Sequence, residues 1–400
     1  MKKKWISIIL LVCFMIGLTA CSAFDNGKRL AFGTDKSKLY ETMEQADRLA
    51  SQYYYDEAIA LLNGSIYHES DEYAAKIAQY EAGKSKLVEY HGPIYHVFFH
   101  SLIVYPELAF DGDIRSEGYN MWMTTVSEFK AMLPQLMERG FILYPLSKIK
   151  KDQKVILPEG KKPLIISIDD VNYYEYMKGD GFAEKLVFNE AGDVVCQVTT
   201  PQGETVFTYD GDVMPILDQF VKENPSFSFH GAKGVIAVTG YEGALGYRIT
   251  DLEGAELEEA RKTVSELATA MTKNGWLFAN HSYTHNEYFK SGKVELSVLQ
   301  EDTKRWKETI GEYVGNPNIY ISPFGYHLDP DDPRLQYLQS EGYTTFCPVG
   351  MHTKLIYGDD IVIQERFNLD RYNMRTKKDY INKTFFDVDS VYYSGQDGPA

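Results

Sequence analysis

Cysteine is nearly absent. Only four occur in 400 residues, and two of them, Cys13 and Cys21, fall at the very start, leaving Cys196 and Cys347. So few thiols, so far apart, exclude a disulfide-stapled scaffold, and their spacing alone assigns no pairing. Cys347 sits in an apolar string and reads as a buried thiol. Positive charge is also short, with 41 Lys and Arg against 57 Asp and Glu. That balance disfavours nucleic acid or an anionic lipid surface as a partner. Long apolar runs are missing too, apart from Trp5–Leu18 near the N-terminus. That run is shorter than the roughly 20 residues a membrane-spanning helix needs.

The start of the chain holds the clearest processing signal. Lys2, Lys3 and Lys4 precede the apolar run, which ends in Leu18-Thr19-Ala20-Cys21. A basic start, an apolar middle and small residues before a cleavage point describe a secretory leader. The ending resembles a lipobox, in which the cysteine thiol takes up diacylglycerol and becomes the first residue. An uncleaved anchor helix is the alternative, and both place the remainder outside the cytoplasm. The expectation is a leader over 1–20 and a lipid-anchored chain at the extracytoplasmic face of the cell membrane. Removing the three lysines takes the net charge from −16 to −19.

Residues 21–35 are polar and read as a tether. From 36 to 90 the pattern is helical: Met43, Ala46, Leu49 and Ala50 repeat at helix spacing, as do Tyr55, Ala58, Ile59 and Leu62. The segment resembles one tetratricopeptide-type hairpin with no second repeat, so it must pack on something else or hold a protein partner. A third helix is expected from Asp71 to Tyr90. Beyond 91, strand-like apolar runs alternate with amphipathic helices. The runs are Pro93–Val104, Phe141–Ile149, Lys162–Asp169, Gly234–Thr239, Trp276–Asn280, Asn318–Phe324 and Tyr343–Val349. Thr125 and Glu128 form a capping-box pattern before Phe129, Leu133 and Leu136. Alternation of this kind implies a mostly parallel sheet, and about seven units suggest an α/β barrel over 91–390. Residues 180–212 break the rhythm and read as a three-stranded antiparallel insertion.

Three strings sit where barrel strands end. They are IISIDD (Ile165–Asp170), NHSYTH (Asn280–His285) and YISPFGYH (Tyr320–His327). Strand C-terminal ends build the active site of a barrel, so the acids and histidines should converge on one mouth. Two imidazoles and a carboxylate suit a catalytic divalent ion, which typically keeps three protein ligands and one position for water. A second carboxylate beside it can accept a proton. Taken singly, an Asp-Asp pair is usually a solvated turn and Pro-Phe-Gly an ordinary turn; order and placement give them weight. The 30 tyrosines add candidate platforms for sugar rings.

With these strings in place the chain resembles the polysaccharide deacetylase family, the NodB-homology domains of carbohydrate esterase family 4, over about 91–370. Phe99-His100-Ser101-Leu102-Ile103 and the stretch Ser127–Ile149 look like the family's opening strand, helix and strand. The resemblance implies a distorted (β/α) barrel and a metal held by Asp170, His281 and His285, most simply Zn²⁺, with Co²⁺, Ni²⁺ or Mn²⁺ as alternatives. It implies Asp169 as general base, the Phe324 backbone N–H as oxyanion donor, and Pro323, Phe324 and Gly325 beside the substrate. The implied activity removes acetyl groups from N-acetylglucosamine-type polysaccharide or peptidoglycan. Three departures stand out. Val171-Asn172 follow the acids where the family has glycine. Ile321 falls where it has the arginine that holds the catalytic acid. No late Leu-x-His motif supplies a general acid; His327 and His352 are candidates for that role, and Arg366 occupies the region as a candidate substrate contact. The alternative is a catalytically impaired carbohydrate-binding or assembly lipoprotein on the same fold.

If the leader reading holds, Cys21→Ala abolishes incorporation of labelled lipid. Normal labelling of that variant contradicts it.

Overall fold

The computed structural model describes residues 36–290, 292–350 and 354–392. Cys21, His352 and the leader lie outside them. Among the described residues no helix is long and apolar enough to cross a membrane.

Parallel strands covered on both faces are near-continuous apolar runs, and the barrel strands here read that way. In path order they are Tyr95–Phe99, Lys162–Ile168, Val235–Val238, Leu277–Asn280, Ile319–Ile321 and Thr345–Cys347, each parallel to the next. One face, including Val97, Phe99, Ile166, Ile168, Ile236 and Val238, packs in the core shared with the helices. The other, including Ile165, Val235, Ala237, Ala279, Ile321 and Cys347, forms a second core. Cys196 and Cys347 are both buried and free, so no bridge joins them.

Closure comes from the last segment. Val362–Gln364 pairs with Thr345–Cys347, while Phe367–Asn368 pairs with the first strand, Tyr95–Phe99. Only Glu365 and Arg366 separate the two pairings. The chain therefore steps within two residues from a strand next to one edge of the sheet, where Leu355–Tyr357 flanks Val362–Gln364, to the opposite edge, which a flat sheet forbids. The sheet is strongly curled, and this segment is the seam between its two ends. Gln364 Nε2 donates across it to the Ile94 carbonyl at 3.1 Å. The expected α/β architecture, with its antiparallel insertion (Ala183–Phe188, Val194–Thr199, Thr205–Thr208), is the one observed.

Several element ends differ from the sequence reading. The run Phe141–Ile149 is a strand only to Leu143; Pro145 follows and a 3-10 turn takes Leu146–Lys148. The third N-terminal helix stops at Lys84 rather than Tyr90. Leu87–Glu89 instead pairs antiparallel with Ile156–Pro158, a long-range pairing that helix periodicity cannot reveal. The helices Lys36–Ser51 and Tyr55–Asn63 form the expected hairpin. Their connection is what seats them on the barrel: Tyr53 stacks on Phe229 with centroids 5.7 Å apart, and Tyr54 on His230 at 4.5 Å. The Tyr53 hydroxyl donates to the Ser226 carbonyl and the His230 N–H to the Gln52 carbonyl.

The capping box at Val126–Glu138 is present, with Thr125 and Glu128 bonding reciprocally. Glu128 is fully buried and also accepts from the equally buried Arg371, just past the seam. Removing one partner of such a pair leaves an uncompensated charge, at a cost of about 3–5 kcal/mol. Arg371→Met is expected to lower stability on that scale in urea unfolding, and adding Glu128→Gln should recover part of it. Additive losses in the double variant contradict direct coupling.

Candidate metal centre

Asp169 and Asp170 end the second barrel strand. The Asp169 N–H donates to the Phe99 carbonyl, which keeps the backbone in the ladder, but Asp170 turns sharply with φ +60°. The unexpected pair after it has clear work. Val171 enters the core, and Asn172 is buried, donating from Nδ2 to the Thr239 and Gly243 carbonyls and accepting from the Thr239 N–H. Those bonds tie the loop after the second strand to the loop after the third.

His281 follows the fourth strand and is 2% exposed. Its Nδ1 lies 2.8 Å from the Ile321 carbonyl, an acceptor, so Nδ1 carries the proton and Nε2 is left with a lone pair. Nε2 faces the acids, 3.8 Å from Asp169 and 3.9 Å from Asp170. Burial pushes the His281 pKa down and keeps the ring neutral, the form a metal requires. His285 returns on a tight turn: Asn280 accepts from the Ser282 N–H, and Ser282 Oγ from the His285 N–H. Asp302 pins this turn from below, accepting from the N–H groups of Tyr283 and Thr284 and from the Thr284 hydroxyl. The His281 and His285 ring centroids are 4.9 Å apart.

One ligand atom from each of Asp170, His281 and His285 lies within 4.8 Å of the others. Three donors of this type, with the His281 tautomer fixed by a backbone carbonyl, fit a divalent ion of the zinc class. Backbone strain concentrates here. Asp170, Tyr173, Ser282, His285 and Phe324 are five of the ten non-glycine residues with positive φ among the described residues. Strain of this kind gathers where a site over-determines the backbone.

Asp169 is held differently from Asp170. Arg366 grips both its oxygens, at 2.7 and 3.0 Å. The guanidinium also reaches Ser167 Oγ and the Cys347 carbonyl, and lies 4.2 Å over the Phe98 ring. Burial pushes the Asp169 carboxyl up, but the Arg366 guanidinium outweighs it and holds the pKa at about 2. Arg366 is 0% exposed, and what its guanidinium holds in this structure is Asp169. Ile321 offers its carbonyl to His281.

The remaining sequence candidates separate. Pro323 and Gly325 are buried in a 3-10 turn. A Cβ on Gly325 would lie 2.3 Å from the Val349 side chain, so only glycine fits. Phe324 stands 45% exposed with its ring 4.4 Å from that of His285. His327 turns to the Val349 carbonyl, with Glu365 3.7 Å away, and is not among the grouped ligands. His352 lies outside the described residues. Sequence reasoning assigned no role to His100, at the end of the first strand. Its Nδ1 is buried without a hydrogen-bond partner among the described residues. Its place beside the second strand was the available signal.

No protein-family model matches the chain, and no curated protein does. Solved structures give weaker likenesses. The Streptococcus pyogenes deacetylase PplD, in complex with acetate, superposes with TM-score 0.41 at 13% identity, over 74% of this chain and 98% of that one. A de-N-acetylase from Aggregatibacter actinomycetemcomitans gives 0.41 at 13%, over 72% and 100%. IcaB from Ammonifex degensii gives 0.42 at 11%, over 72% and 97%. At this level of similarity, residue roles follow from this chain's own geometry.

The Asp169–Arg366 pair has a signed pH dependence. With its folded pKa depressed to about 2, Asp169 contributes stability above its unfolded pKa of about 3.9, lost as pH falls towards 2. Arg366→Met leaves the carboxylate buried and unpaired, costing about 3–5 kcal/mol near neutrality. In urea unfolding of metal-free protein that cost should shrink between pH 7 and pH 3. A pH-independent cost contradicts the pairing.

Proposed function

We propose that this chain is a metal-dependent hydrolase that removes acetyl groups from N-acetylated or O-acetylated polysaccharide of the cell envelope, held at the extracytoplasmic membrane face by lipid on Cys21. One observation carries the reading: a three-donor cluster, Asp170, His281 and His285, lies beside a second carboxylate, Asp169, that is locked in its ionised form. A structural cluster has no need of that neighbour; hydrolysis does.

A divalent ion bound there, most simply Zn²⁺, lowers the pKa of water and polarises a carbonyl. The chain's own groups divide the remaining work. Arg366 occupies two of the roughly four lone-pair positions of the Asp169 carboxylate, leaving others for a water proton. In this reading Asp169 orients the attacking water and takes its proton as the new C–O bond forms at the acetyl carbon. The Phe324 N–H donates to the developing oxyanion, a role elsewhere worth a few kcal/mol. Cleavage of the C–N bond needs a proton on the departing nitrogen, and we assign that donor to His100. It follows the first strand at the mouth, and its Nδ1 is buried without a hydrogen-bond partner among the described residues. Acetate and a free amine are the products; with an ester substrate the leaving group is an alcohol.

The test separates the aspartates. His281→Ala and His285→Ala are expected to lose bound metal. Asp169→Asn should retain it and lose acetate release by about 10²–10⁴-fold, the usual scale of general-base catalysis. His100→Gln should retain metal and affect amide substrates more than activated esters, whose leaving group needs no proton. If Asp169→Asn and Asp170→Asn lose metal alike, the division of roles is wrong. Wild-type protein that binds metal and sugar but releases no acetate is a carbohydrate-binding protein instead.

A further inference from the structure

The first strand carries a polar residue that packing does not ask for. Tyr95, Val97 and Phe99 turn to the helix-covered core, so alternation sends His96 and Phe98 to the inside of the curled sheet. His96 is fully buried there, opposite Ile165 on the second strand. Burying an imidazole is costly unless its nitrogens are bonded, and an aliphatic side chain would serve packing better. Its Nε2 lies 3.0 Å from Ser167 Oγ, while its Nδ1 is buried with no hydrogen-bond partner among the described residues. Burial, then the Arg366 charge, push its pKa well down and keep the ring neutral.

Ser167 is equally buried, two residues before Asp169. Among the described residues its Oγ meets His96 Nε2 and Arg366 Nη1, the latter at 3.1 Å. A guanidinium can only donate, so Oγ accepts from Arg366. The hydroxyl hydrogen then has one acceptor within reach, His96 Nε2, and Nδ1 carries the ring proton. The reverse, with Nε2–H donating to Oγ, wastes both the hydroxyl hydrogen and the Nδ1 lone pair; the first arrangement wastes only the Nδ1 hydrogen. The bonds therefore run in one direction. Ser167 donates to His96, Arg366 Nη1 donates to Ser167, and the same Nη1 donates to Asp169 Oδ1 at 2.7 Å. Both Nη1 hydrogens are committed, so turning that end of the fork breaks two bonds at once.

Resting on the deacetylase reading above, we infer that His96 and Ser167 are positioning residues for the general base. His96 fixes the Ser167 hydroxyl, the hydroxyl fixes the Arg366 fork, and the fork sets the angle at which Asp169 meets water. Neither residue belongs to the three-donor cluster. Their loss should therefore slow the chemical step and leave metal and substrate binding as they are.

The first measurement is kcat and KM for acetate release from N-acetylglucosamine oligomers by Zn²⁺-loaded protein. Ser167→Ala and His96→Leu are expected to lower kcat by about 10–100-fold, the scale of a small misplacement of a reacting group. KM and zinc content should stay at wild-type values. Ser167→Thr keeps the hydroxyl on a side chain that suits a strand, and should recover most of the loss. Unchanged kcat in Ser167→Ala overturns the inference, as does a KM or zinc content that changes in step with kcat, or a Thr variant no better than Ala. The second measurement needs no substrate: nitrogen NMR of protein labelled at histidine and arginine. Wild type should show the His96 proton on Nδ1, and Ser167→Ala should speed rotation of the Arg366 guanidinium about its Cζ–Nη1 bond. A proton on Nε2, or unchanged rotation, overturns the inference. Wild type that shows both signatures but releases no acetate leaves the hold on Asp169 standing and overturns the deacetylase reading.

Discussion

The grip of Arg366 on Asp169 is the constraint on which the rest of this structure turns. Arg366 lies in the two-residue step that carries the chain from one edge of the sheet to the other. Its backbone joins the two ends of the curled sheet, and its side chain is buried against Asp169. A buried ion pair is by itself weak evidence of stability, since desolvation offsets most of the attraction. Here the guanidinium spreads its donors over both Asp169 oxygens, Ser167 and the Cys347 carbonyl, and covers the Phe98 ring. Few polar groups are left to desolvate unpaired. One residue thus serves both the joining of the sheet's ends and the ionisation of the candidate base.

The two adjacent aspartates acquire different chemistry from this arrangement. Strand geometry sends neighbouring side chains to opposite faces, and the positive φ of Asp170 breaks that rule at the second acid. Asp169 stays within the barrel mouth against Arg366. Asp170 turns towards the imidazoles and the Tyr174 hydroxyl. His281 is fixed by a carbonyl of the neighbouring strand, and the His285 turn by Asp302 from a packed helix. His281 and the His285 turn are thus held from outside their own loop, and Asp170 by a tyrosine of its own.

Much of this was legible in the chain. The runs ending in IISIDD, NHSYTH and YISPFGYH are apolar throughout because parallel strands are covered on both faces, and their polar ends mark the mouth. What stayed hidden depends on long-range pairing. Arg366 lies 197 positions from Asp169 in sequence, and nothing local distinguishes it from a surface arginine. Leu87–Glu89 continues a helical pattern and becomes a strand only because Ile156–Pro158 is beside it. His100 carries no motif of its own; its relevance follows from the pairing of the first strand with the second. Val171 and Asn172, where glycine was expected, become intelligible once Asn172 is seen tying two loops together.

The central claim is that a single divalent ion held by Asp170, His281 and His285 makes this site hydrolytic. The most direct measurement is acetate release from N-acetylglucosamine oligomers by protein stripped with chelator, then titrated with Zn²⁺. The account predicts no turnover in stripped protein and activity that rises linearly to a plateau at one ion per chain. Turnover that persists in fully stripped protein, or never appears when one ion per chain is bound, contradicts it.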